Sequence, residues 1–97
     1  MAHIIKVDGT AVKVTPKNGQ FNNEEIKKHL HCDAIEVLPL VATNKETKKY
    51  VRCRLAYNAK ADTPNNGLTI NKNSMRLTGT EIGGDMLLMI EKEYCEA

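Results

Sequence analysis

The chain has no tryptophan and one phenylalanine, Phe21. Aromatic rings bury the most area per side chain, so the core must be built from Ile, Val, Leu and Met, each of which buries less. A core of that kind is marginal in a short chain, and a homo-oligomer would supply the burial that one copy lacks. Long hydrophobic runs are also missing. None approaches the roughly 20 apolar residues that a membrane-spanning helix needs, and near the N-terminus the longest is Ile4-Ile5. The expectation is a chain with no signal peptide, no anchor and no membrane contact, working in a cytoplasm. The three cysteines, Cys32, Cys53 and Cys95, are odd in number and widely spaced, which argues for reduced thiols and against a disulfide framework or a structural zinc site. Charge of one sign is scarce too: 14 Lys and Arg against 12 Asp and Glu leave a net +2. That is too little for bulk electrostatics to recruit a membrane or a nucleic acid, so any such role must come from local clustering.

What is present fits one globular unit. At 97 residues, with 41% hydrophobic and 27% charged, the chain encloses one core and forms a single domain over residues 1–97. His3-Ile4-Ile5-Lys6-Val7 and Ala11-Val12-Lys13-Val14-Thr15 flank Asp8-Gly9-Thr10, a hairpin signal because Gly accepts the positive φ of a tight turn. Pro16 to Gly19 then ends the second strand. Phe21 to Leu30 carries a helix start: Asn22 as N-cap, Glu25 at the capping-box position, and Phe21 with Ile26 as a hydrophobic staple. Glu24 and Glu25 meet the positive end of the helix dipole, while Lys27, Lys28 and His29 lie toward its negative end. The inward face of this two-turn helix is Ile26 and Leu30, helped by Phe21.

Ala34 to Leu38 reads as a third strand that Pro39 stops, with Leu40, Val41 and Ala42 resuming beyond a kink. A polar run over residues 43–49 leads to a strand over residues 50–57 that alternates throughout. Val51, Cys53, Leu55 and Tyr57 face the core, and Tyr50, Arg52, Arg54 and Ala56 face outward. Residues 60–67 hold Asp62, Pro64, Asn65, Asn66 and Gly67, the composition of a surface loop. Asn71 is expected to cap a short helix through Met75 to Leu77 that stops at Gly79. Gly83-Gly84 marks a turn or a close backbone approach before Met86-Leu87-Leu88-Met89-Ile90. That most hydrophobic run reads as a central strand, buried on both faces or buried on one with a dimer interface on the other. Residues 91–97 read as a charged, fraying tail. The fold class is therefore α+β: a mixed or antiparallel sheet with an N-terminal hairpin, one short helix after it and a second before the last strand.

No catalytic constellation emerges, and the expectation is a non-enzyme without cofactor or metal. His29, His31, Cys32 and Asp33 are the densest group of metal-ligating types, but they also suit a solvated helix C-terminus. No base or oxyanion donor marks any cysteine as a nucleophile. The least bland feature is the basic stretch of Lys45, Lys48, Lys49, Arg52 and Arg54, opposed only by Glu46. On a strand, Tyr50, Arg52 and Arg54 share one face, where guanidinium forks suit phosphate and the ring suits a base. The bland alternative is a solvated face in which an Arg pairs with Glu36 and Lys guards an edge.

In its order of motifs the chain resembles a family of small proteins of unknown function from phages and other bacterial mobile elements, sometimes appended to antirestriction-type proteins. The resemblance rests on Ile4-Ile5-Lys6-Val7-Asp8-Gly9-Thr10, Val14-Thr15-Pro16-Lys17-Asn18-Gly19 and Ile35-Glu36-Val37. It continues with Asn58 after an aliphatic strand, Leu68-Thr69-Ile70-Asn71 before a short helix, and Ile82-Gly83-Gly84-Asp85-Met86-Leu87-Leu88. That family tends to have paired glycines where this chain has His31-Cys32-Asp33, and an acidic residue where it has Ala59, so roles attached there do not carry over. The resemblance implies a mobile-element origin and a cytoplasmic setting, and no activity.

The resulting expectation is a counter-defence binding protein that sequesters a nucleotide-type signal. Its ligand-binding candidates are Tyr50, Arg52, Arg54, Asn58 and Asn71. One alternative is a protein–protein inhibitor that binds a host defence enzyme, motivated by the apolar surface of Met86 to Ile90. The other is a weak nucleic-acid binder, which the small net charge argues against.

Overall fold

The computed structural model describes residues 2–43, 46–59 and 69–95; the loop expected over residues 60–67 lies outside them. Strands β1 (Ala2–Ile5) and β2 (Ala11–Val14) form the N-terminal hairpin, in register from Ala2 opposite Val14 to Ile5 opposite Ala11. Its turn is closed by the Lys6 N–H on the Thr10 carbonyl at 2.8 Å, and Gly9 sits at φ 95°, which a side chain would resist. Asp8 holds the turn by accepting from the backbone N–H and the hydroxyl of Thr10.

Helix α1 (Asn23–Leu30) starts as its sequence dictates. The Asn22 Oδ1 accepts from the Glu25 N–H at 2.8 Å, and Phe21 and Ile26 are both fully buried. The reciprocal half of the capping box is replaced, because the Glu25 carboxylate reaches the backbone N–H of Lys17 instead. At the C-terminus His31 adopts the left-handed conformation (φ 54°, ψ 49°). Cys32 and His31 donate back to the carbonyls of Lys27 and Lys28, as in a Schellman motif.

Strands β3 (Ile35–Thr43), β4 (Tyr50–Asn58) and β5 (Met86–Ile90) complete one five-stranded sheet of order β2-β1-β5-β4-β3, antiparallel at every pair. Pro39 does not stop β3, which runs unbroken through it opposite Arg54. The reason is position: β3 is an edge strand, where a residue without an N–H is tolerated. The Met86 to Ile90 run is the central strand, between β1 and β4.

The sheet is covered on both faces. On one, Ala2, Ile4, Ala56, Leu87 and Met89 pack with Phe21, Ile26 and Leu30, the inward side of α1. On the other, Ile5, Leu55, Tyr57 and Met86 pack with Ile82 and with Leu77 of the short helix α2 (Ser74–Thr78). Chain-internal packing thus accounts for Met86, Leu87 and Met89, all fully buried. The apolar excess that motivated an inhibitor surface is taken up by this second layer.

Two further expectations are corrected. Ala56, assigned outward, is fully buried beneath α1, because the face it shares with Tyr50 is covered at one end of β4 and open at the other. Residues 91–95 are also docked. A 3₁₀ turn (Glu91–Glu93) follows β5, Phe21 and Tyr94 form a parallel bridge, and the Cys95 N–H donates to the Phe21 carbonyl at 2.9 Å. Among the described residues no helix is long and apolar enough to cross a membrane.

Candidate functional site

Strand β4 pairs with β5 only from Cys53 opposite Ile90 to Tyr57 opposite Met86. Its pairing with β3 runs on to Thr43 opposite Tyr50. Residues 41–43 and 50–52 therefore form a two-stranded ribbon beyond the last β4–β5 pair. Side chains alternate along it, so Thr43, Tyr50, Val41 and Arg52 share one face, and Ala42 and Val51 share the other. Tyr50 is 80% exposed and Val41 66% exposed, and Arg52 is exposed beside them. Lys48 and Lys49, both exposed, lead directly into Tyr50. A groove of about 420 Å³ at the foot of the ribbon is lined by Pro39, Leu40, Val41, Arg52, Cys53 and Glu91.

Arg54 shares the face of Tyr50 and Arg52 but has a committed partner. Its Nη2 donates to the Glu91 Oε1 at 3.0 Å, and its side chain is only 22% exposed. This ion pair, not one with Glu36, neutralises the second guanidinium. Glu36 instead accepts from the Tyr57 hydroxyl at 3.1 Å. The other two sequence candidates lie apart from the ribbon. Asn58 is half-buried opposite Ile35 at the far end of β4, about 26 Å of extended chain from Tyr50. Asn71 is buried among the layer beneath the opposite face. Its Nδ2 donates to the carbonyls of Ile5 and Gly84, and its Oδ1 accepts from the Asn73 N–H. It therefore braces the start of α2 from two residues upstream of the cap position, which Asn73 occupies.

The turn around Asn71 also explains Gly83-Gly84. Ile70 and Gly83 form a bridge, the Gly84 N–H donates to the Thr69 carbonyl, and Gly84 takes φ 82°. These are structural contacts, with no helix behind them to bind a phosphate.

At the end of α1, His29 meets Phe21 edge-on, with ring centroids 5.9 Å apart. His31, Cys32 and Asp33 line a hollow of about 460 Å³ with Glu24, Lys27 and Lys28. Among the described residues no group of three or more His, Cys, Asp or Glu side chains converges as a metal ion would require. Burial pushes the thiols of Cys32 and Cys53 above their ordinary range, which disfavours the nucleophilic thiolate at both. The structure thus joins two of the five sequence candidates, Tyr50 and Arg52, adds Val41, and leaves Lys48 and Lys49 of the basic stretch exposed just before them. The sequence already has the strand resume at Leu40 to Ala42, and the register that sets Val41 opposite Arg52 is what it lacks. No family model matches the chain, and neither a curated protein nor a solved structure does.

Proposed function

We propose that this chain is a non-enzymatic binding protein that recognises a nucleotide-type ligand on the open face of the β3–β4 ribbon. The observation that carries the reading is the side-by-side exposure of Tyr50 and Arg52 above the Pro39–Val41–Glu91 groove. A ring held on a strand offers a flat surface for a base, and Arg52, about 7 Å further along the strand backbone, offers a guanidinium fork for a phosphate. Arg54 holds the carboxylate of Glu91, a lining residue of the groove, in an ion pair. The resemblance to small mobile-element proteins gives such binding a setting, the sequestration of a nucleotide signal during conflict with a host.

Thermal denaturation in the presence of nucleoside monophosphates, ADP-ribose and cyclic dinucleotides tests this. A ligand at 100 times its dissociation constant raises native-state stability by about 2.7 kcal/mol, a shift that is easy to read. Tyr50→Ala and Arg52→Ala should each reduce it. No shift with any nucleotide-bearing ligand, oligonucleotides included, would refute the reading.

A further inference from the structure

We infer that this ribbon holds a single-stranded nucleic acid segment more tightly than a free nucleotide, an inference that rests on the nucleotide-type reading above. The ribbon encloses too little for a small ligand. Small-ligand sites bury most of their ligand, typically about 70–90% of its surface. Here Tyr50, whose ring would stack on the base, is 80% exposed, Val41 beside it is 66% exposed, and the groove that Val41 and Arg52 line does not include Tyr50. A mononucleotide on this ribbon would leave most of its surface in water and gain little. A polymer gains affinity on the same open surface by making several weak contacts at once.

Charge placement points the same way. The small net charge of the chain conceals a local concentration, because Lys48, Lys49 and Arg52 are all exposed within residues 48–52, on either side of Tyr50 in the sequence. Glu91, the carboxylate that lines the adjoining groove, is engaged by Arg54. Exposed cations that neighbour an exposed ring in the chain are the residue types that hold a phosphate backbone while a base stacks. A duplex is disfavoured by the same geometry, since its bases already stack on each other and present no free face to Tyr50.

The test is fluorescence anisotropy with end-labelled single strands of DNA and of RNA, about a dozen nucleotides long to span one small binding site. A duplex of the same sequence and unlabelled AMP serve as competitors. The expected result is single-strand binding that duplex and AMP compete for poorly. Tyr50→Ala should weaken it about tenfold and Tyr50→Phe should retain it. With three cations engaged, the logarithm of affinity should fall with that of salt concentration at a slope of about −2, shallower by about 0.7 in Lys48→Gln. Tyr50 is on the surface, so an unchanged melting temperature confirms that Tyr50→Ala still folds. AMP competing as well as the oligonucleotide would overturn the inference and leave the nucleotide reading standing. Equal binding of duplex, indifferent to Tyr50→Ala, would overturn it in favour of simple charge attraction. Binding of neither would remove both readings. The DNA and RNA arms distinguish which backbone the ribbon accepts.

Discussion

The Asn71 Nδ2 donates at 2.8 Å to the carbonyl of Ile5, which ties the last residue of β1 to a turn 66 positions later in the chain. The same amide donates to the Gly84 carbonyl at 3.0 Å and accepts from the Asn73 N–H at 2.9 Å, at a site 1% exposed. Removing it leaves buried backbone groups without partners, at roughly 1–3 kcal/mol for each unmet group. Asn71→Ala is expected to lower stability by about 2–3 kcal/mol. Asn71→Asp should cost at least as much, because its oxygen would face two carbonyls that the amide nitrogen now satisfies. Urea denaturation measures both, and a loss below about 0.5 kcal/mol would show that the turn is held by other means.

Phe21 joins the start of α1 to the segment after β5. Its ring is fully buried with Ile26, and its backbone pairs with Glu93 and Cys95. Phe21→Ala should cost about 3–5 kcal/mol, the range for truncating a core aromatic. Loosening at this junction should appear first in the tail. Hydrogen exchange in the variant should show the Cys95 amide losing protection before the amides of β5, and simultaneous loss would mean that the tail is no separate unit.

His31 closes α1 in a backbone region that costs a residue with a Cβ about 1–2 kcal/mol. Glycine relieves that strain but adds about 0.4–1 kcal/mol of unfolded-chain entropy. His31→Gly is therefore expected to gain about 0.5 kcal/mol and to raise the melting temperature by about 2–4 °C. His31→Ala keeps the strain and should gain nothing. A fall with glycine would reveal a contact of the imidazole that outweighs its backbone.

These local features were the legible ones. Asp8-Gly9, Asn22 with Glu25, and the unbroken run from Met86 to Ile90 act over a few residues, so spacing and residue type suffice to read them. What escaped depends on packing between distant segments. The alternation of β4 shows that two faces exist, but not that α1 covers Ala56 while leaving Tyr50 bare. Pro39 reads as a break with the strand resuming beyond a kink until β3 is known to be an edge that runs through it unbroken. The Arg54–Glu91 pair, which splits the expected pair of free guanidinium groups, needs the turn after β5 to fold back beside β4. Asn71 carried a real signal at the wrong level, since a polar residue in a turn-rich stretch turned out to bind backbone and not ligand.

The cysteines give a dependence on pH whose sign can be worked out. Cys53 is 7% exposed, with its Sγ 3.7 Å from the Val51 carbonyl, and burial is the first cause of its raised pKa; the same holds for the half-buried Cys32. Folding therefore favours the protonated thiol at both. That contribution is fully present below the ordinary thiol value of about 8.5 and is lost as pH rises through the higher folded values. Stability should be flat across this contribution near neutrality and decline above about pH 9. The decline should be shallower in Cys32→Ala/Cys53→Ala, even though the double variant starts from a lower baseline because it loses buried sulfur. Urea midpoints measured across the alkaline range compare the two slopes directly. A thiol reagent at pH 8 supplies an independent check, with Cys53 labelled much more slowly in the folded protein than in urea. Labelling at equal rates would mean that the β4 end of the ribbon opens freely, and would undo the assignment of Cys53 to the sheet interior.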